Sequence, residues 1–150
     1  MVIRPFRTED AQRCCKIIKG CLQDMDGLNK TAKDYIYENC VPEVVTKDLM
    51  RSHTLVYERD NSILAIGALA GGEIKRFYTF QACQRQHFGS SIYASLEHIA
   101  RCNGLKRLKL ESVPSAVKFW DRCGFDILKS RHFEIGESNY HFIDMEKTLK

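Results

Sequence analysis

The sequence has no two cysteines at C-x-x-C spacing, no block of basic residues, no apolar run long enough to span a membrane and no internal repeat. Each absence excludes a class of protein. Seven cysteines are present (Cys14, Cys15, Cys21, Cys40, Cys83, Cys102 and Cys123), but without paired spacing they offer no zinc framework, so no metal site is expected. Most read as small buried hydrophobes, and the adjacent Cys14-Cys15 is the candidate reactive pair. Nothing resembles a signal peptide, so the expected setting is the reducing cytoplasm, with no membrane partner. The nearest approach to a basic cluster, Lys106-Arg107-Leu108-Lys109, alternates with apolar residues and reads as a strand, so nucleic acid is not an expected partner. The net charge of +4 is mild and suits an acidic small ligand such as a nucleotide. Low-complexity segments and linkers are also missing.

What is present fits one globular domain over residues 1–150. With 44% hydrophobic and 28% charged residues the composition is ordinary for a packed fold. A chain of this length buries roughly 68–70% of its unfolded surface, enough for a core without staples.

Val2–Phe6 is a short strand whose proline suits a sheet edge. Thr8 followed by Glu9-Asp10 reads as the cap and acidic first turn of a helix that runs through Met25 and stops at Asp26-Gly27. A second helix is predicted over "KTAKDYIYENC", ending before Val41-Pro42, and a third over "PEVVTKDLMRS". "HTLVYERD" and "SILAIGALAG" are strands joined by a turn at Asp60-Asn61, and "EIKRFYTF" follows the Gly71-Gly72 turn. A helix over Ser90–Ala100 ends at Asn103-Gly104. The strand "LKRLKLES", the helix "PSAVKFWDRCG" and a hairpin of "FDILKSRHFEI" and "YHFIDMEKTL" complete the chain. The fold class is therefore α/β (α+β): a mixed, mostly antiparallel central sheet flanked by helices, with one parallel crossover from Glu73 to Leu110.

The segment Gln84-Arg85-Gln86-His87-Phe88-Gly89-Ser90 lies between a strand and a helix. A polar loop entering a helix N-terminus aims several backbone N–H groups at one spot, which favours an anion such as phosphate. Gly89 would admit close approach, Ser90 offers a hydroxyl or a cap, and Arg85 offers charge. The same residues also suit an ordinary strand–loop–helix connection. Neither a P-loop nor a dinucleotide fingerprint is present, since the required lysine and glycines are missing.

Gln84 and Gly89 match the loop Gln/Arg-x-x-Gly-x-Gly/Ala, with His87 where the first glycine is usual. Ala116, Phe119, Gly124 and Phe125 match Ala-x-x-Phe-Tyr-x-x-x-Gly-Phe, with Trp120 in place of tyrosine. In this order, behind "IRPFRTEDA" and "RFYTFQACQ", these motifs resemble the GNAT acetyltransferase superfamily, over most of the chain and weakest from Gly27 to Ser52.

The resemblance implies the GNAT acyl-CoA N-acyltransferase fold, acetyl-CoA (CoA) as cofactor and an amine as acceptor. Backbone amides of Arg85 to Ser90 would hold the pyrophosphate. The pantetheine arm would lie along Phe77, Tyr78 and Thr79 like an added strand. At His87 an αR-like turn with the ring in solvent is favoured over a phosphate contact, because positive φ is uncommon outside glycine. Glu73 stands where some members carry a catalytic glutamate, against the alternative of a solvated turn carboxylate. The usual acid is a tyrosine at the position of Trp120, which instead reads as a packing wall beside the cofactor. Substitute acids are Tyr140, Cys123, Tyr78 or water. Ser112 and Ser115 touch the cofactor or, preferentially, cap the helix that follows. Acceptor binding falls to the first helices and the hairpin around Arg131–Asn139, where Asp24, Asp26, Asp34 and Glu38 would attract a cation or form a solvated face. The reading is an acetyl-CoA-dependent N-acetyltransferase; its rival is a non-catalytic acyl-CoA-binding module of the same fold. An exposed edge near the hairpin would permit a homodimer.

Overall fold

A computed structural model describes residues 2–80 and 87–150. Gln84, Arg85 and Gln86 of the predicted anion loop lie outside the described residues. In chain order the elements are β1 (Val2–Pro5), α1 (Ala11–Leu22), α2 (Lys30–Asn39), α3 (Pro42–Met50), β2 (His53–Arg59), β3 (Ser62–Ala70) and β4 (Glu73–Thr79). Then follow α4 (Phe88–Cys102), β5 (Arg107–Ser112), α5 (Val117–Arg122), β6 (Asp126–Ile135) and β7 (Ser138–Thr148).

The strands form one 7-stranded sheet in the order β1-β2-β3-β4-β5-β7-β6. All neighbours are antiparallel except β4 and β5, the crossover expected from the sequence. Alternation along β2 divides the core. Leu55 and Tyr57 face α4 and α5, where Phe88, Ile92, Leu96 and Trp120 are buried. Val56 faces α1 and α3, where Cys14, Ile18, Val45 and Leu49 are buried. Helices cover both faces of β3, which explains its unbroken buried run from Ile63 to Leu69. Asp60 and Asn61 both take positive φ (53° and 61°), the signature of a tight type I′ hairpin between β2 and β3.

Two features of β4 set up the site. Its register against β3 moves from Ile66↔Tyr78 to Ala68↔Lys75, so β4 carries an extra residue there. Arg76 sits in that bulge at φ 50°, and its guanidinium is tied to Asp48 of α3 at 2.7 Å. A bulge bends its strand and strengthens its twist. On the far side, β4 meets β5 at one register pair, Glu73↔Lys109, with the Lys109 amide donating to the Gly72 carbonyl at 3.0 Å.

The helix boundaries differ from those predicted at four places. Thr8 caps nothing: its hydroxyl donates to Glu9, within a 3-10 turn over Thr8–Asp10. Asp10 does the capping, accepting from the Arg7 amide at 2.8 Å while the Arg4 guanidinium grips both its oxygens. Burial raises the Asp10 pKa, but these bonds outweigh it and hold the group below its ordinary value. α1 ends at Leu22 rather than Met25, and α4 begins at Phe88 rather than Ser90. The last helix opens as a 3-10 turn over Pro114–Ala116 before α5.

Candidate active site

Past Glu73 the β4 and β5 ladders part. The gap is a cleft of about 910 Å³ that runs through the sheet. Cys21, Met25, Leu28 and Ile36 line it from the α1–α2 face, and Phe88, Gly89, Phe119 and Trp120 line it from the α4–α5 face. It therefore offers one mouth on each face of the sheet, meeting at the fork. All of the predicted cofactor residues among those described line it: Phe77, Tyr78, Thr79, His87, Phe88, Gly89, Ser90, Ser112, Ser115, Phe119 and Trp120.

On the α4 side the helix begins at the cleft. The first helical bond shown there runs from the Ser91 amide to the His87 carbonyl (3.2 Å), which leaves the Phe88, Gly89 and Ser90 amides without helical partners. Unpartnered amides at a helix N-terminus, together with the helix dipole, favour an anion. His87 corrects the sequence reading. It adopts the left-handed region at φ 65°, ψ 13°, not an αR-like turn, and its side chain is exposed as foreseen. Histidine is among the residues that tolerate this conformation better than β-branched ones. Gly89 has a packing reason: a Cβ there would sit 3.3 Å from the Phe77 ring and 3.5 Å from Phe119.

Phe77, Phe119 and Trp120 form the aromatic wall. The Trp120 ring lies 4.8 Å from Phe77 edge-to-face and 4.8 Å from Phe119, and further edge contacts reach Tyr93 and Phe125. Trp120 is thus a packing residue on the cleft wall. Ser112 and Ser115 cap nothing with their own side chains. Buried Ser112 donates to the Val113 carbonyl (2.8 Å). Ser115 is held by Asp26, which accepts from its hydroxyl at 2.9 Å and its amide at 3.1 Å. Asp26 thereby caps that turn from a distant segment.

Glu73 stands at the vertex of the fork, its carboxylate partly exposed and 3.9 Å from the Lys75 ammonium. Tyr140 is elsewhere. It stacks on Phe133 (4.9 Å between ring centres) and lines a neighbouring 730 Å³ depression with Asn29, His132 and His141. Tyr78 lines the cleft, and burial raises its hydroxyl pKa. Burial also raises the Cys123 thiol, whose residue packs against the core and is absent from the cleft lining. Of the acidic acceptor candidates, Asp24 lines the cleft, Asp26 is the cap just described and Asp34 pairs with Lys30 on the surface. Glu111 joins the cleft wall, paired with Arg131, which also binds Asp144 at 2.9 Å.

Sequence reading missed the bulge at Arg76, the Asp26–Ser115 contact and the segment after α1. Asn29 was a findable signal, since a cap residue ahead of Lys30 is a helix start; its side chain accepts from the Ala32 amide at 3.0 Å. The Asp26–Ser115 contact leaves no local trace in the sequence.

The Acetyltransferase (GNAT) domain model matches residues 21–149. A search of curated proteins finds no match. Among solved structures, a GCN5-related N-acetyltransferase from Rhodopseudomonas palustris superposes at a TM-score of 0.90, with 18% identity over 99% of this chain and 95% of the other. The PaiA N-acetyltransferase of Thermoplasma acidophilum, solved with coenzyme A, gives 0.79 at 15% identity over 99% and 98%. A ribosomal-protein-alanine N-acetyltransferase from Brucella melitensis gives 0.73 at 17% over 99% and 100%. The two-faced fork, the helix end beside it and the family match agree: the chain belongs to the GNAT acetyltransferase family.

Proposed function

We propose that the protein transfers the acetyl group of acetyl-CoA to a primary amine. The supporting observation is the fork itself: a split between β4 and β5 that opens on both faces and has an α-helix N-terminus at one mouth. The residues fit the group. The Phe88–Ser90 amides suit a diphosphate, and the β4 edge from Phe77 to Thr79 suits an extended arm bearing amides. When bound, acetyl-CoA supplies a thioester, whose carbonyl carbon takes the amine nitrogen as the C–S bond breaks and CoA leaves as the thiol.

The chain's own task is to free the amine. An alkylamine of pKa about 10.4 is protonated at pH 7, and releasing its lone pair costs roughly 4–5 kcal/mol. Glu73, at the vertex, takes that proton directly or through water. Protonation of the thiolate needs little help, since a thiol pKa lies near 8.5, and water serves. The aromatic wall of Phe77, Phe119 and Trp120 keeps bulk water from one side of the reacting centre.

The test has two arms. Acetyl-CoA at 100 times its Kd should stabilise the fold by about 2.7 kcal/mol, read as a rise in Tm. Thiol release should then depend on added amine. Binding without release across a broad amine panel would identify the non-catalytic module instead.

A further inference from the structure

The mouth on the α1–α2 face is closed on one side by the segment Gly27–Asn29. β7 pairs with β5 from Ile143 onward, where β5 reaches its end at Ser112. Ahead of that point, Gly27–Asn29 takes over the vacated edge of β7. The His141 amide donates to the Gly27 carbonyl at 2.7 Å, the Asn29 amide to the Asn139 carbonyl at 3.3 Å, and Leu28 bridges to Tyr140. The Asn29 side chain adds two bonds, accepting from the Asn139 amide and donating to the Glu137 carbonyl. Asp26 pins the segment to Ser115. The position is built for glycine: Gly27 has φ 78°, and a Cβ there would collide with the His141 carbonyl. A peptide could not pair with this edge of β7 without displacing this strap.

On the α1–α2 side the lining includes the apolar Met25, Leu28, Ile36 and Phe142, with Cys21 and Asp24 among them. The described lining carries three carboxylates, Asp24, Glu73 and Glu111, against three cations, Lys75, Arg76 and Arg122, so it has no net negative charge. An acceptor with several positive charges would gain little there, whereas an apolar body would leave water.

We infer that the acceptor is a small monoamine with an apolar or aromatic body, which enters end-on beneath the strap and seats that body against Ile36 and Phe142. This rests on the transferase reading above and narrows it. A peptide finds this edge of β7 already paired, and a polycation meets no net negative charge.

The full chain with acetyl-CoA would be assayed for thiol release with phenethylamine, spermidine, kanamycin and an Nα-acetylated lysine peptide. Phenethylamine should show a kcat/KM about ten-fold or more above the others. Phe142→Ala should raise its KM about ten-fold and leave the KM of acetyl-CoA unchanged; Ile36→Ala serves if that variant does not fold. Equal rates, or preference for any other acceptor, overturn the inference while leaving the transferase reading intact. So does a phenethylamine KM that neither variant moves. Thiol release from none of the four, with acetyl-CoA still raising Tm, removes both.

Discussion

Gly67 of β3 lies directly beneath Ile92 of α4: a Cβ at position 67 would stand 2.8 Å from the Ile92 Cγ2 and 2.9 Å from the Phe77 ring. The helix whose first turn lines the cleft therefore rests on bare backbone. Gly67→Ala should destabilise the fold by about 1–3 kcal/mol through overpacking, measured by urea unfolding. It should also weaken acetyl-CoA binding, since α4 and Phe77 must both shift. A variant of unchanged stability would show that α4 adjusts freely.

His87 is expected to behave as a strained residue at a position that suits glycine. A non-glycine residue in the left-handed region costs about 1–2 kcal/mol, and glycine regains part of this while adding entropy to the unfolded chain. His87→Gly should be neutral or stabilising by about 0.5–1 kcal/mol. If the exposed ring makes no cofactor contact, acetyl-CoA affinity should change less than about three-fold, well under 1 kcal/mol. A ten-fold loss of affinity would mean that the ring binds a phosphate.

Glu97 joins α4 to the C-terminal strand, bonded by the Tyr93 hydroxyl at 2.7 Å, the Lys147 ammonium and Arg101 at 3.2 Å. Burial raises its pKa, but the bonds from Lys147, Tyr93 and Arg101 outweigh this and pull it down to about 2. The folded value lies below the unfolded one, so the stabilisation is present above the ordinary value of 4.5 and is lost as pH falls through about 2. Stability measured from pH 6 downward should fall along this window. Glu97→Gln should lower stability at pH 6 and flatten the acid limb; an unchanged limb would assign acid sensitivity to other carboxylates.

Glu73→Gln should lower kcat by about 100-fold or more with little effect on the KM of acetyl-CoA, since it removes proton transfer but no cofactor contact. Unchanged turnover would leave Glu73 as a strand residue only.

These predictions divide by how far the sequence announced the features behind them. The order of strands and helices was written in apolar periodicity and in glycine–proline punctuation, as at Gly71-Gly72 and Val41-Pro42. The parallel crossover followed from it. The aromatic wall and the vertex glutamate were reached through motif resemblance. The backbone state of His87 escaped because local statistics favour negative φ, while His87, at the N-cap of α4, takes the left-handed region. The Thr8 cap failed because Arg4 on β1, six residues earlier, grips Asp10, which accepts from the Arg7 amide instead. The strap escaped because Gly27–Asn29 bonds to Glu137–His141, more than a hundred residues away, and no pattern of period 2 or 3.6 records such a pairing.

The single rung between β4 and β5 also bears on how the molecule holds together. Four strands lie on one side of it and three on the other, so the backbone ladder is thinnest at the middle of the sheet, where most folds are strongest. The seam is mended by side chains from α4 and α5 and by the strap, and a bound cofactor would occupy the place of the missing rungs. Amide exchange in the empty protein should accordingly be faster along Phe77–Thr79 than along β3, and filling the cleft should slow it.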